Sequence, residues 1–168
     1  MTVHVRPPRR DDAEAIVEAY NAVTQSLYGT AEASLDDFVL WFDSPSLDME
    51  RDALVALSPD GRVGAYADIT DVSQKHTSYH VDLRFRPGQE ELAGRLLDAM
   101  ERRARETALD GAALRGFADA RDEAALRVFE WRGYVPIRHA FRMLIELEPP
   151  PPPPEWPDGI AVREFRPG

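Results

Sequence analysis

At Pro87-Gly88 the period of the chain changes, and that change constrains the fold more than any other feature. Upstream, Ser78 to Phe85 alternates, with Tyr79, Val81, Leu83 and Phe85 on one face and His80, Asp82 and Arg84 on the other. This is the pattern of a half-buried strand. Downstream, Leu92, Leu96, Leu97, Met100 and Ala104 mark one face of a long helix from about Gln89 to about Ala108. Asp110-Gly111 ends it, and Ala112 to Gly116 is a short, mostly apolar run typical of a buried strand. A strand, a crossover helix and a second strand in one sheet run parallel, with a right-handed connection. Val81–Phe85 and Ala112–Arg115 are therefore expected to be parallel neighbours around the long helix.

The remaining elements are shorter. Thr2 to Arg6 alternates around Val3 and Val5, as in a strand. Asp11 fits an N-cap, with Glu14 in the capping-box position and Ile16, Ala19, Tyr20 and Val23 at helical spacing behind it. Ser34 starts a second helix carrying Leu35, Phe38, Val39 and Phe42 before Pro45 forbids continuation. Between Asp52 and Thr70 the Ser58-Pro-Asp-Gly61 turn joins two apolar runs, an antiparallel hairpin. Asp119 is expected to cap a fourth helix bearing Ala125, Leu126 and Phe129 and closed by Gly133. His139 to Leu147 reads as a last strand. The order is βααβββαβαβ, an α/β (α+β) fold with a mixed sheet and flanking helices.

Composition excludes several functions. A net charge of −10 opposes a broad phosphate-binding surface, so no nucleic-acid partner is expected. The absence of cysteine removes disulfides, thiolate metal sites and a cysteine nucleophile, and suits a reducing compartment. With no apolar leader and no stretch able to span a bilayer, the expected location is the cytoplasm, without a membrane partner. His76 and His80 share a strand face, and His4 and His139 lie elsewhere, but no ligand-spacing motif joins them. No metal is expected.

The element order, together with Arg121-Asp-Glu-Ala-Ala-Leu-Arg-Val-Phe-Glu-Trp-Arg-Gly-Tyr134, resembles the GNAT superfamily of acyl-CoA N-acyltransferases over roughly residues 2 to 147. Asp122 stands for the family's Asn, Ala125 matches, Val128 and Phe129 stand for Leu-Tyr, and Gly133-Tyr134 for Gly-Phe. The resemblance implies a splayed sheet with acetyl-CoA between the fourth and fifth strands. It places the pyrophosphate on backbone N–H groups at the start of the long helix, where donors are unpaired and the dipole is positive. The implied cofactor-binding residues are Leu83 and Phe85 of the splayed strand and Gly88, Gln89, Glu90, Glu91, Leu92 and Ala93 of the following turn.

The family's Gln/Arg-x-x-Gly-x-Gly/Ala signature is degenerate in that turn: Gly88 replaces the Gln/Arg, Glu91 replaces the first Gly, and only Ala93 fits. Either Glu90 and Glu91 swing away from an arriving pyrophosphate, or they fill the positive helix end themselves, each stabilising it by about 0.3–1 kcal/mol. A carboxylate ~4 Å from a phosphate repels it by roughly 4 kcal/mol per charge pair at an effective dielectric of 20. Binding of acetyl-CoA by this domain is therefore expected to be impaired.

The family's tyrosine that protonates the departing thiolate is Phe129 here, which has no O–H. Tyr134 is a substitute candidate that also fits a core position. His80 and Asp82 are candidates for the general base, with Asp68 and Asp71 ending the preceding strand. Phe38, Trp41 and Phe42 either line a substrate groove or pack the core.

Six prolines, Pro149 to Pro154, follow the last expected strand. In polyproline II they span about 19 Å at ~3.1 Å each. Beyond them Ile160-Ala-Val-Arg-Glu-Phe-Arg-Pro-Gly168 echoes Val3 to Asp11, with Val162 on Val5, Arg163 on Arg6 and Arg166 on Arg9. The expected organisation is a degenerate GNAT-like domain at 1–148, a linker at 149–157, and the start of a second GNAT-like domain at 158–168. The functional expectation is N-acetyl transfer from acetyl-CoA to a small-molecule amine by the whole protein, with catalysis impaired in this half. The alternatives are a supporting or regulatory domain and a small-ligand sensor. The expected partners are the amine and the second domain, and a homo-oligomer stays open as an alternative.

Overall fold

The computed structural model describes residues 4–141, 143 and 145–166, and the chain forms two units, Met1–Val135 and Pro136–Gly168. The first unit carries all the regular structure among the described residues. Its strands are β1 (His4–Arg6), β2 (Ala53–Leu57), β3 (Val63–Asp71), β4 (Ser78–Phe85) and β5 (Ala113–Gly116). Its helices are α1 (Ala13–Tyr28), α2 (Leu35–Phe42), α3 (Glu90–Thr107) and α4 (Glu123–Trp131). The strands lie in sequence order, antiparallel from β1 to β4 and parallel between β4 and β5. The two strands flanking the long helix are parallel neighbours as expected, but they pair through Ser78–Val81 and Ala113–Gly116 rather than through Val81–Phe85.

Both faces of the sheet centre are covered, so Val63 to Ile69 of β3 are buried without interruption. On one face, Ala65, Ala67, Val81, Leu83 and Phe85 pack against Leu92, Leu96, Leu97 and Met100 of α3 and against Val128 and Phe129 of α4. On the other, Ile16 of α1 joins Val55, Val63, Tyr66, Leu47 and Met49, with Phe38 and Phe42 of α2 packed alongside. Each fully buried Leu or Ile here removes apolar area worth about 1.5–3 kcal/mol. Gly116 lets α4 approach β5: a Cβ there would lie 2.4 Å from the Phe129 ring.

Three local expectations are corrected. Asp11 is not the first cap. Residues Arg10–Asp12 form a 3₁₀ turn, and Asp12 accepts from the Arg9 amide at 2.6 Å while pairing with Arg6. Asp119 does not cap α4; Asp122 does, accepting from Ala125 N at 2.9 Å, while Asp119 accepts from Arg121 N and from the Tyr28 hydroxyl. The last expected strand is not formed by the described residues of His139 to Leu147; Arg142 and Leu144 lie outside the described residues. Among the described residues no ladder partner pairs with that segment, and Ile137, Phe141, Met143, Ile145 and Leu147 are all exposed. The Ser34 cap and the Ser58–Gly61 turn are as expected.

Candidate functional site

β4 and β5 pair only through Ser78–Ala113, Tyr79–Leu114, His80–Arg115 and Val81–Gly116. β5 then ends, while β4 continues to Phe85, so among the described residues no strand pairs with Asp82 to Phe85 on the β5 side. The ladder between the two strands stops at Val81 and Gly116. Leu83 and Phe85 turn their side chains under α3 and leave their backbone edge to the gap. Gly88, at φ 80°, makes the turn that aims the chain into α3, a conformation costly for any residue with a Cβ.

α3 starts at Glu90 behind Gln89, whose side chain makes no capping hydrogen bond. Glu90 and Glu91 occupy the first turn, and Leu92 and Ala93 are buried beneath it. Glu91 Oε1 accepts from Arg95 at 2.7 Å, an exposed i,i+4 pair worth only about 0.3–0.5 kcal/mol. The structure thus brings Leu83, Phe85 and Gly88 to Ala93 together at the open end of the gap, with two carboxylates at the helix start.

The face of β3 and β4 turned away from α3 carries a row of polar pairs. Tyr66 sits opposite Arg84, Asp68 opposite Asp82, and Thr70 opposite His80. Asp68 is 2% exposed, and its Oδ2 accepts from Tyr66 Oη at 2.8 Å and from Trp41 Nε1 at 3.2 Å. Burial first, then the Asp82 charge, pushes the Asp68 carboxyl up to about 7, against the Tyr66 and Trp41 hydrogen bonds and the Arg84 charge. Burial likewise holds the Tyr66 hydroxyl well above its ordinary value, so it remains a donor. Arg84 pairs with Asp82 at 2.8 Å and lies 4.8 Å over the Tyr20 ring. Thr70 Oγ1 and Arg84 Nε are buried without a partner among the described residues.

His80 and Asp82, the base candidates, are therefore brought together with Asp68 on one face, beside α2. Trp41 reaches that face, whereas Phe38 and Phe42, partly buried, pack against the core. Asp71 is not part of the row: it closes the hairpin, accepting from Ser73 and from the His76 amide. Phe129 and Tyr134 lie on the opposite, α3 side of the sheet, ring edge to ring face at 5.1 Å. Tyr134 Oη is buried with no partner among the described residues. Burial, then the Glu101 charge, raises its hydroxyl pKa, with Arg132 and Arg105 opposing. Glu101 takes hydrogen bonds from Arg132 and Arg105, so the charges around Tyr134 belong to the α3–α4 contact. Among the described residues no group of three or more His, Asp or Glu could hold a metal ion, and no helix is long and apolar enough to cross a membrane.

The alternation Tyr66-x-Asp68-x-Thr70 against His80-x-Asp82-x-Arg84 is the signal by which the polar row could be found in the sequence. The convergence of Trp41 and Tyr66 on one Asp68 oxygen depends on α2 packing and has no local signal.

No family model and no curated protein matches the chain. Solved structures do. A GCN5-related N-acetyltransferase from Sphaerobacter thermophilus is 28% identical with a TM-score of 0.75, over 99% of this chain and 54% of that one. The chain thus spans about half the length of that protein. A GNAT superfamily phosphinothricin acetyltransferase from Sinorhizobium meliloti, solved in complex with AcCoA, is 18% identical with a TM-score of 0.61, over 79% of this chain and 75% of that one. An N-acetyltransferase from Staphylococcus aureus Mu50 is 16% identical with a TM-score of 0.61, over 79% and 83%. The mixed five-stranded sheet with its helices matches the GNAT fold, and the structural neighbours are GNAT acetyltransferases.

Proposed function

We propose that this chain is an acetyltransferase-type domain of a longer protein that transfers an acetyl group from acetyl-CoA to a small amine, with a weakened hold on the cofactor in this half. The observation that carries the reading is the end of the β4–β5 ladder at Val81 and Gly116 beside a polar row on the adjoining face. The gap suits the thioester arm, because the free backbone edge of Asp82 to Phe85 offers donors and acceptors to an extended amide chain. The helix start suits a pyrophosphate less well, because Glu90 and Glu91 bring negative charge to the end that the dipole offers to an anion.

Acetyl-CoA would supply the activated acyl group. The chain's own residues would handle the acceptor. On this reading the acceptor approaches the face of His80 and Asp82, one of which would take a proton from its ammonium; the freed lone pair forms the C–N bond as the C–S bond breaks, and the second nitrogen proton passes to the departing thiolate. Phe129 has no O–H with which to protonate the departing sulfur, and the Tyr134 hydroxyl is buried with its pKa raised by burial and the Glu101 charge.

A second reading is a non-catalytic GNAT-like half that supports a catalytic second half. Glu90, Glu91 and Phe129 favour it, as does a neighbour nearly twice as long. Calorimetric titration of acetyl-CoA separates the two. Binding that is high-micromolar or weaker in the unaltered chain and tighter in Glu90→Gly/Glu91→Gly supports the first reading; no binding by either protein leaves the second.

A further inference from the structure

α2 is held to the molecule in an unusual way for an apolar helix. None of its residues is buried, and Leu40 is 73% exposed. Its ring contacts are Phe38 edge-on to Tyr66 at 5.6 Å and Phe42 tilted against Phe38. Past its end, Asp43 pairs with Arg10, but both side chains are more than half exposed, so water screens the pair. Among the described residues, one side-chain hydrogen bond runs from α2 into the sheet: Trp41 Nε1 to Asp68 Oδ2 at 3.2 Å.

The acceptor of that bond is a buried carboxyl whose surroundings come from several elements. Tyr66 from the same strand donates to the same oxygen. From β4, Asp82 faces Asp68 across the register, and Arg84 follows it, paired with Asp82. From α1, Tyr20 lies under the Arg84 guanidinium, and β2 contributes only Ala53 at this register. A hydrogen bond to a carboxylate is about twice as strong as one to a neutral acceptor. The hold on Trp41 therefore depends on whether Asp68 carries its charge.

We infer that Asp68 is a positioning residue that sets α2 through Trp41: ionised, it draws in both the indole N–H and the Tyr66 hydroxyl and fixes α2 beside Asp82; protonated, it loosens that helix. The inference rests on this face being the acceptor side only for its bearing on activity; the contact itself stands apart from any transfer reaction. The linkage is reciprocal, since whatever the anion gives Trp41, Trp41 gives the anion.

The test uses the 168-residue chain with Trp131→Phe and Trp156→Phe, both exposed positions, so that Trp41 is the sole indole. Acrylamide quenching of its fluorescence is followed from about pH 5.5 to about 8.5, the window spanning the Asp68 transition. Quenching should fall as pH rises through about 7, and Asp68→Asn should give a flat profile. A flat profile in the parent, or the same transition persisting in Asp68→Asn where every histidine is retained, overturns the inference. If Asp68→Asn does not fold, Trp41→Phe replaces it. Carboxyl NMR should then show the Asp68 pKa rising by about one unit with the donor lost, the size a charge-assisted hydrogen bond supports. An unmoved Asp68 pKa refutes the coupling. Since neither readout involves acetyl-CoA, failure here and failure of the acetyltransferase reading are separate results.

Discussion

Asp68 and Asp82 are register partners across β3 and β4, two carboxylates on one face of the sheet, and only Asp82 has a guanidinium, that of Arg84, as its ion-pair partner. Like charges directly opposite are destabilising. The sheet tolerates them because Asp68 takes two donors on one oxygen and holds its proton to about pH 7.

That arrangement predicts how stability varies with pH. The Asp68 carboxyl rises from 3.8 to about 7 on folding. Its contribution is therefore full below pH 3.8 and is lost as pH rises through about 7. Three units correspond to roughly 4 kcal/mol as an upper figure. Urea melts should show the parent losing stability progressively between about pH 4 and about pH 7 relative to Asp68→Asn, and levelling off above that. Parallel stability curves for the two proteins would contradict this.

A second prediction concerns the contact on the other face. Because a Cβ at position 116 would lie 2.4 Å from the Phe129 ring, Gly116→Ala should destabilise the fold by about 1–3 kcal/mol through overpacking. Combining it with Phe129→Leu should recover part of the loss, giving a coupling of about 0.5 kcal/mol or more in a double-mutant cycle. Strict additivity would mean that β5 shifts freely beneath α4.

The acid–base network between α3 and α4 predicts an asymmetry between two arginines. Arg132 bonds the 7%-exposed Glu101, whereas Arg102 pairs with Asp98 at the surface. Removing Arg132 leaves a buried carboxylate short of a partner. Arg132→Ala should therefore cost about 1–3 kcal/mol, discounted for its partial exposure, against less than about 0.5 kcal/mol for Arg102→Ala. Thermal melts that shift equally would count against it.

How much of this was legible in the chain follows from the range of each interaction. The period change at Pro87-Gly88 is local and strong, so the β4–α3–β5 crossover and its parallel pairing could be read directly. So could the Ser34 cap, whose oxygen bonds its own helix three residues on. Asp119 and Asp122 offer two caps three residues apart, and the choice between them was made by Tyr28, ninety-one residues away, which engages Asp119. The polar row was legible as alternation, but Trp41 as the donor to Asp68 was not, since α2 reaches the sheet only through tertiary packing. His139 to Leu147 has strand alternation, but its described residues form no ladder, because pattern alone does not supply a neighbouring edge.

That same segment gives the last prediction. Ile137, Phe141, Met143, Ile145 and Leu147 occupy alternate positions and are all more than half exposed, Met143 at 89%. A strand-competent run with one apolar side and unpaired backbone is a template for pairing. Ile160, Val162 and Phe165, beyond the prolines, are exposed as well. If a second domain covers these residues in a longer protein, the isolated chain has to satisfy them by self-association or leave them in water. We expect self-association: sedimentation should give an apparent mass above 18.9 kDa. Phe141→Asp with Ile145→Asp should return it to the monomer, and truncation after Leu147 should lower it in part, with circular dichroism unchanged in both. A parent chain that sediments as a monomer removes the second copy as the occupant. Unfolding of the double variant would instead place the segment in the core of the first unit, and the two-domain reading of the tail would fall with it.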